Sequence, residues 1–480
     1  MDTKPKVFAH GSYIGKGGYN QHTRDFFRHL SKLIDVKVRN FAVDDNWTWP
    51  NSEPHNNEDY VNEVDKKLLV LQTLWINQNK GLRSDHIIYP NHKNDFKHNV
   101  NILLQETNHN YFWDAYEGPK IGYNVWESTV QPQVFFDKWV EFDQLWVPSK
   151  WQAECTVKQG ADPNKVKVVP EGVDINTFYP DTQTHHDDYD GRFKFILFGR
   201  WDYRKSTKDI IRTWIDTFSS NENVELILSV DNFDNPQDNF KNTQERLIAY
   251  GLNDKRISIV SYSDRNTYIN RLKNSDVFLS CSRGEGWNLP LIEAMACGIP
   301  VIYSECGGQL EYTKGFGFGV KIKHEVTAWK EGIGNVYEPD FELLSDTLRK
   351  IHSKYERVKK RAIIESDRVR KEYDWSVCGK LGTNYLTRVR KFSEQINPTF
   401  VTHVRPHENL ESLTDNWIPK INRNEGKFMT KKTDWNDVFI CNGKDPTLWG
   451  RGGIDSFTGR ICGFKIFMRN DLCRVMKDLP

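Results

Sequence analysis

Short apolar runs alternate with helix-periodic stretches twice along this 480-residue chain, and that alternation restricts the fold more than any single motif. Strands separated by helical crossovers, without tight hairpin turns, are laid down parallel in a sheet covered on both faces. In the first 180 residues the pattern predicts strands at Lys6–His10, Val36–Phe41, Val100–Leu104, Ile121–Trp126, Gln144–Pro148 and Lys165–Val169. Phe26, Phe27, Leu30 and Leu33 recur at helical spacing after the first strand. The polar segment from Asp44 to Asp59 reads as a loop or insertion. The polar stretch 181–191 reads as a linker, and a second set of alternations follows. Phe193–Phe198 is apolar apart from Lys194, as in a strand buried on both faces. Further strands are expected at Val224–Val230, Ile257–Val260, Val277–Ser280 and Pro300–Tyr303, and Leu344, Leu348, Ile351 and Tyr355 share one helix face. The expected class is therefore α/β: two doubly wound halves, residues 1–180 and 192–373. From 398 to 480 the pattern changes to scattered Trp417, Trp435 and Trp449 with a Gly450–Gly453 turn. This segment reads as a small β-rich appendage or the start of a further module, without an assigned role.

Composition narrows the function classes. Hydrophobic residues at 38% and aromatics at 13% supply real cores and exclude a disordered chain. A net charge of +1 gives no reason to expect a nucleic-acid partner. No stretch approaches the ~18 apolar residues of a membrane helix, since Gln72 and Thr73 interrupt the run from Leu68 to Ile76. The first residues lack an apolar signal core, so a soluble cytoplasmic protein is expected. The eight cysteines are scattered without a CxxC pair, which predicts reduced core thiols rather than disulfides or a zinc site.

Three segments carry chemistry. The first is Cys281–Gly308, CSRGEGWNLPLIEAMACGIPVIYSECGG. Glu285 falls in a loop after a strand, Pro290 suits the first turn of a helix and Gly298 its end. Backbone amides around Asn288 to Leu291 would then lie at a helix N-terminus, which favours an anion such as a phosphate, and Gly286, Trp287, Asn288 and Leu289 are the donor-binding candidates there. Glu293, one turn in, is able to accept hydrogen bonds from vicinal hydroxyls such as those of a ribose. The second segment is FILFGRWDYRKS, where a strand ends at Gly199 and Arg200, Arg204 and Lys205 follow. Cations at the carboxyl end of a parallel strand suit a diphosphate. The third is the turn Gly15-Lys16-Gly17-Gly18, which lacks the final glycine of a dinucleotide motif because Asn20 stands there. Gly17 and Gly18 still permit close approach of a ligand to backbone. Each segment also has a plain reading: a surface loop entering a helix, a solvated basic turn and a tight turn. Asp231 and Asp234 flank a loop without forming a convincing metal motif.

Together and in this order the segments resemble the family 4 glycosyltransferases, retaining enzymes of the GT-B fold. The resemblance spans roughly residues 5 to 390 and includes VKVVPEGVDINTFYP, GRWDYRKS, the Glu285–Glu293 spacing and EAMACGIPVI. It implies two Rossmann-like domains facing a cleft, an acceptor domain at 1–180 and a nucleotide-sugar domain at 192–373. It also implies a helix at 374–397 that crosses back to the first domain. Arg200 and Lys205, preferred over Arg204 on this ground alone, would hold the donor diphosphate. Glu285 would contact the donor sugar or support the transition state, and Glu293 would bind the ribose. No metal and no cofactor is implied beyond a nucleotide-diphosphate sugar as donor substrate. Asn288 departs from the glycine common in relatives, so its side chain is expected to bear on donor choice.

On the acceptor side the candidates are Glu127, after the strand IGYNVW, with His109 and Asp114 in an aromatic loop and His22 near the glycine turn. Glu127 reads equally well as an acid ahead of a helix. The partner is a carbohydrate or glycoconjugate hydroxyl on a glycan, lipid or protein, and a lipid-linked acceptor leaves peripheral membrane association open. Two alternatives stand beside transfer: another GT-B enzyme, such as a nucleotide-sugar epimerase or sugar phosphorylase, and a non-catalytic carbohydrate-binding protein.

Overall fold

The computed structural model describes residues 6–11, 17–40, 100–104, 119–180, 190–230, 240–260, 265–330 and 332–395, with four short strands between 454 and 477. The first sheet joins β1 (Lys6–Gly11), β2 (Asp35–Asn40), β3 (Val100–Leu104), β4 (Lys120–Tyr123), β5 (Gln144–Val147) and β6 (Val166–Val168). Its order is β2-β1-β3-β4-β5-β6, with every pairing parallel. Helix α1 (Gly18–Ser31) buries Phe26, Phe27 and Leu30 against it. α2 (Gln133–Trp139) sends the Trp139 indole to the Gly122 carbonyl at 3.0 Å, and any Cβ at Gly122 would meet that ring. α3 (Lys150–Gln159) starts at Ser149, whose hydroxyl caps the Gln152 amide. β4 stops at Tyr123, short of the expected Trp126. The Val125 amide donates to the Tyr19 hydroxyl and the Trp126 amide to Gln152, so the ladder is replaced by side-chain bonds.

The second sheet joins β7 (Phe193–Phe198), β8 (Val224–Ser229), β9 (Ile257–Ile259), β10 (Val277–Ser280), β11 (Val301–Ser304) and β12 (Phe318–Val320). Its order is β12-β11-β10-β7-β8-β9, again all parallel. The helices between them are α4 (Thr207–Thr217), α5 (Thr243–Ala249), α6 (Arg265–Lys273), α7 (Leu289–Ala296) and α8 (Leu310–Thr313). In each sheet the winding reverses beside the first strand, between β1 and β3 and between β7 and β10. Such switch points open a crevice at the strand carboxyl ends.

Besides the edge strand β12, a hairpin has no counterpart in the strand pattern read from sequence. β13 (Ile322–Thr327) and β14 (Asn335–Pro339) form an antiparallel hairpin whose Ile333 and Val336 pack with Trp126 of the first half. Thr129 and Asn335 exchange two bonds across this contact, at 3.0 and 2.8 Å. Helices α9 (Phe341–Ser353) and α10 (Tyr355–Glu372) follow. α11 (Trp375–Gln395) begins with Trp375 stacked on His22 and sets Gly382 against Phe26 and Trp146 of the first half.

Residues 391–480 form a separate compact unit. Its described strands make two antiparallel pairs, β15 (Ile454–Asp455) with β16 (Arg460–Ile461) and β17 (Phe464–Arg469) with β18 (Leu472–Lys477). Trp417, Trp435, Trp449 and most of the 181–191 segment lie outside the described residues. Cys155, Cys281, Cys297, Cys306 and Cys378 are free thiols, and burial pushes Cys297 and Cys306 up to about 12. No described helix is long and apolar enough to cross a membrane.

Candidate functional site

The loops after β7 and β10 meet at the switch point of the second sheet. β7 passes through Gly199 into Arg200–Lys205, and α4 then starts behind Ser206, whose φ is 53°. β10 leads into the loop 281–287, and α7 starts behind Asn288, whose φ is 81°. These are the positive-φ residues other than glycine among the described residues. A left-handed conformation costs about 1–2 kcal/mol at a side chain such as Ser206 and less at asparagine, so the turn before α4 in particular is held against a local preference. Asn288 offsets part of that cost through its side chain, which donates to Ser280 at 2.7 Å and Gln309 at 2.9 Å. Its amide is thus turned into the second half.

Glu285 sits where the two loops touch and is 4% exposed. Its Oε1 accepts from Lys205 Nζ at 2.6 Å and from the Ser282 hydroxyl at 2.5 Å. Its Oε2 accepts from Arg204 Nη1 at 3.1 Å. Burial alone would raise this carboxyl, but Lys205 and then Arg204 outweigh it and hold the group below the ordinary carboxylate range. Arg204 Nη1 also donates to the Gly284 carbonyl at 2.9 Å, and its Nη2 lies 3.6 Å from Glu127 of the first half. Burial disfavours the charged guanidinium, yet Glu127 and Glu285 together raise it further above its ordinary value. The Arg200 side chain is half exposed, with Nε 4.0 Å from Asp202, and Asp202 in turn accepts from the Lys205 amide at 2.7 Å. The basic turn read from sequence is therefore locally balanced by carboxylates.

Close approach of the two halves explains the glycines. A Cβ at Gly286 would fall 2.6 Å from Val125 and 2.8 Å from the Trp126 carbonyl, and one at Gly284 would fall 2.3 Å from the Glu127 carbonyl. A Cβ at Gly308 would fall 1.6 Å from the Gly286 carbonyl. Gly17 and Gly18 are exposed at the start of α1. Next to them the Tyr19 hydroxyl bonds Asn124 at 3.1 Å, in the loop that meets Gly286. Trp287 and Leu289 send their side chains into the core, Trp287 against Tyr312 and Tyr373.

Glu293 on α7 is buried apart from this cluster. Arg265 holds one carboxylate oxygen at 2.5 Å and the Tyr268 hydroxyl the other. Burial pushes this carboxyl up against the pull of Arg265 and Tyr268. Arg265 and Tyr268, on α6, have no motif that marks them, and their value is visible only once α6 lies beside α7. His22 is buried against Tyr123 and Trp375, 3.3 Å from Glu171. His109, Asp114, Asp231 and Asp234 lie outside the described residues. Among the described residues no group of three His, Cys, Asp or Glu side chains is placed to hold a metal ion.

A paired cation–carboxylate cluster thus lies at the switch point of one doubly wound half, with a second such half closed upon it. Residues 181–355 match the family described as "Glycosyl transferases group 1". Over 232 residues the chain is 25% identical to the "Probable sucrose-phosphate synthase" of Thermosipho melanesiensis, a match covering 48% of each protein. The chain thus spans about half the length of that curated relative. Among solved structures the chain is similar in fold to HepE from Anabaena in complex with UDP-glucose. That similarity has 14% identity, covers 80% of this chain and 100% of that one, and gives a TM-score of 0.59. It is also similar to sucrose-phosphate synthase from Thermosynechococcus elongatus, with 16% identity, 82% and 100% covered, and a TM-score of 0.54. The architecture is that of the GT-B fold, with an additional C-terminal unit.

Proposed function

We propose that the chain transfers a sugar, a hexose in our reading, from a nucleotide-diphosphate sugar to a hydroxyl acceptor, with retention at the anomeric carbon. The observation that carries this reading is the buried Glu285 carboxylate, held at the switch point of the second sheet by Lys205 and by Arg204, which in turn lies 3.6 Å from Glu127. Support for the donor class comes from HepE, a protein of similar fold whose structure holds UDP-glucose.

In this reading Lys205 and Arg200 take the donor diphosphate, leaving Asp202 and part of Glu285 to exchange partners. The amides from Gly286 to Leu289, at the N-terminus of α7, add fixed partial charge where the leaving group forms. These groups do the work at the diphosphate without a metal. Glu285 contacts the donor sugar, and Glu293 receives the ribose hydroxyls in place of Tyr268 or Arg265. Gly17 and Gly18 flank the donor from the first half. Glu127 orients or deprotonates the acceptor hydroxyl, with residues 1–180 forming the acceptor side and 192–373 the donor side. Contact between the halves excludes water and aligns the reactants. The acceptor is a glycan or glycoconjugate, and the enzyme works in the cytoplasm.

Incubation with a panel of nucleotide sugars and acceptors tests this. Nucleotide release that requires an added acceptor is expected. An isomerised donor would mean an epimerase instead, and binding without turnover a carbohydrate-binding protein. The anomeric configuration of the product checks retention.

A further inference from the structure

Arg204 lies between the two cations assigned to the diphosphate, yet it is built into the site differently from either. Arg200 is half exposed, whereas the Arg204 side chain is 14% exposed and engages three partners from one planar group. Its Nη1 is shared by the Gly284 carbonyl and Glu285 Oε2, which fixes the carboxylate relative to its own backbone. Its Nη2 faces Glu127 across the cleft. Such a fork matches two acceptors at set angles, which a lysine ammonium does not.

We propose that Arg204 is a positioning residue for the transfer: it holds Glu285 in place from the side opposite Lys205 and makes that placement depend on contact with Glu127 of the first half. This rests on the transferase reading above. When Lys205 turns to the donor diphosphate, Glu285 loses its shortest ionic contact. Arg204, enclosed by protein, is the cation that stays. The other groups near Glu285 do not replace it. Ser282 is neutral, and burial raises both the Cys306 thiol and the Tyr312 phenol, keeping them uncharged near neutral pH. Asp202 and Glu127 are carboxylates that face Arg204, and Asp202 accepts from the Lys205 amide, so neither supplies positive charge to Glu285. In the donor complex, then, the ionisation of Glu285 is set mainly by Arg204.

The test is steady-state kinetics of acceptor-dependent nucleotide release on the full-length chain, with pH profiles, for wild type, Arg204→Gln and Arg204→Lys. Arg204→Gln keeps hydrogen-bonding capacity and removes the charge. It should lower kcat about 100-fold with donor KM changed less than about threefold, and move the acid limb of the kcat profile up by about one pH unit. Arg204→Lys restores the charge but not the fork. Its acid limb should stay near that of wild type, with kcat down about tenfold. A merely structural role would lower melting temperature or active fraction and leave the acid limb of the remaining folded enzyme in place. An unmoved limb in Arg204→Gln overturns the role of Arg204 alone. If Arg204→Gln does not fold, wild-type kcat in Arg204→Lys does the same. A wild-type protein without acceptor-dependent turnover overturns the transferase reading and this inference together.

Discussion

At Glu285 a carboxylate is 4% exposed and carries two cations and a hydroxyl, an arrangement that removal of its charge would break. Glu285→Gln leaves Lys205 and Arg204 facing each other without their common counter-ion. The account predicts a loss of 10²- to 10³-fold in kcat, of the size seen when one preorganised electrostatic group is removed. Its sign with pH follows from the depressed carboxyl. Stability contributed by ionised Glu285 is fully present above the unfolded value and is lost as pH falls through the lower folded one. The stability difference between wild type and Glu285→Gln should therefore shrink on acidification below the ordinary carboxylate range, as followed by denaturant titration. Glu285 was legible in the sequence because its spacing from Glu293 and the loop–helix signals around Pro290 are local. Which of Arg200, Arg204 and Lys205 meets it was not. That choice depends on the turn closed by left-handed Ser206 and on the approach of Glu127 from another sheet.

Elements whose signals are local were readable, and those made by distant partners were not. The runs at Val100–Leu104, interrupted by Asn101, and at Val277–Ser280 correspond to β3 and β10, because burial on both faces leaves mainly hydrophobic stretches. β4 ends early because Tyr19 and Gln152, from other elements, take over its backbone amides. The β13–β14 hairpin carries a polar, largely exposed strand, IKHEVT, and its stability comes from packing on Trp126 and from Thr129. The loop after β10 is likewise fixed by its neighbours. The Gly308 amide donates to the Glu285 carbonyl at 2.7 Å, and the turn at Gly307–Gly308 leaves no room for a Cβ. Gly308→Ala forces that turn off the Glu285 loop. It should cost about 3 kcal/mol or more in denaturant unfolding and reduce kcat in whatever protein remains folded.

On the scale of the molecule, residues 6–395 hold two parallel sheets whose winding reverses at β1/β3 and at β7/β10. The doubly wound class followed from alternation alone, whereas the strand order and the hairpin linking the halves required the coordinates. The near-neutral net charge also conceals a site in which Arg200, Arg204 and Lys205 are matched by Asp202, Glu127 and Glu285. Under the proposed function a nucleotide diphosphate would bind by exchange of partners, so its affinity would depend on Lys205, the lysine bonded to Glu285. Thermal unfolding of wild type and Lys205→Ala, with and without UDP, ADP and GDP sugars, measures this directly. At 100 times its dissociation constant the matching donor should add about 2.7 kcal/mol of stability to the wild type and far less to Lys205→Ala. No shift of the wild type with any donor, or the same shift in both proteins, would contradict a nucleotide-sugar site at Glu285.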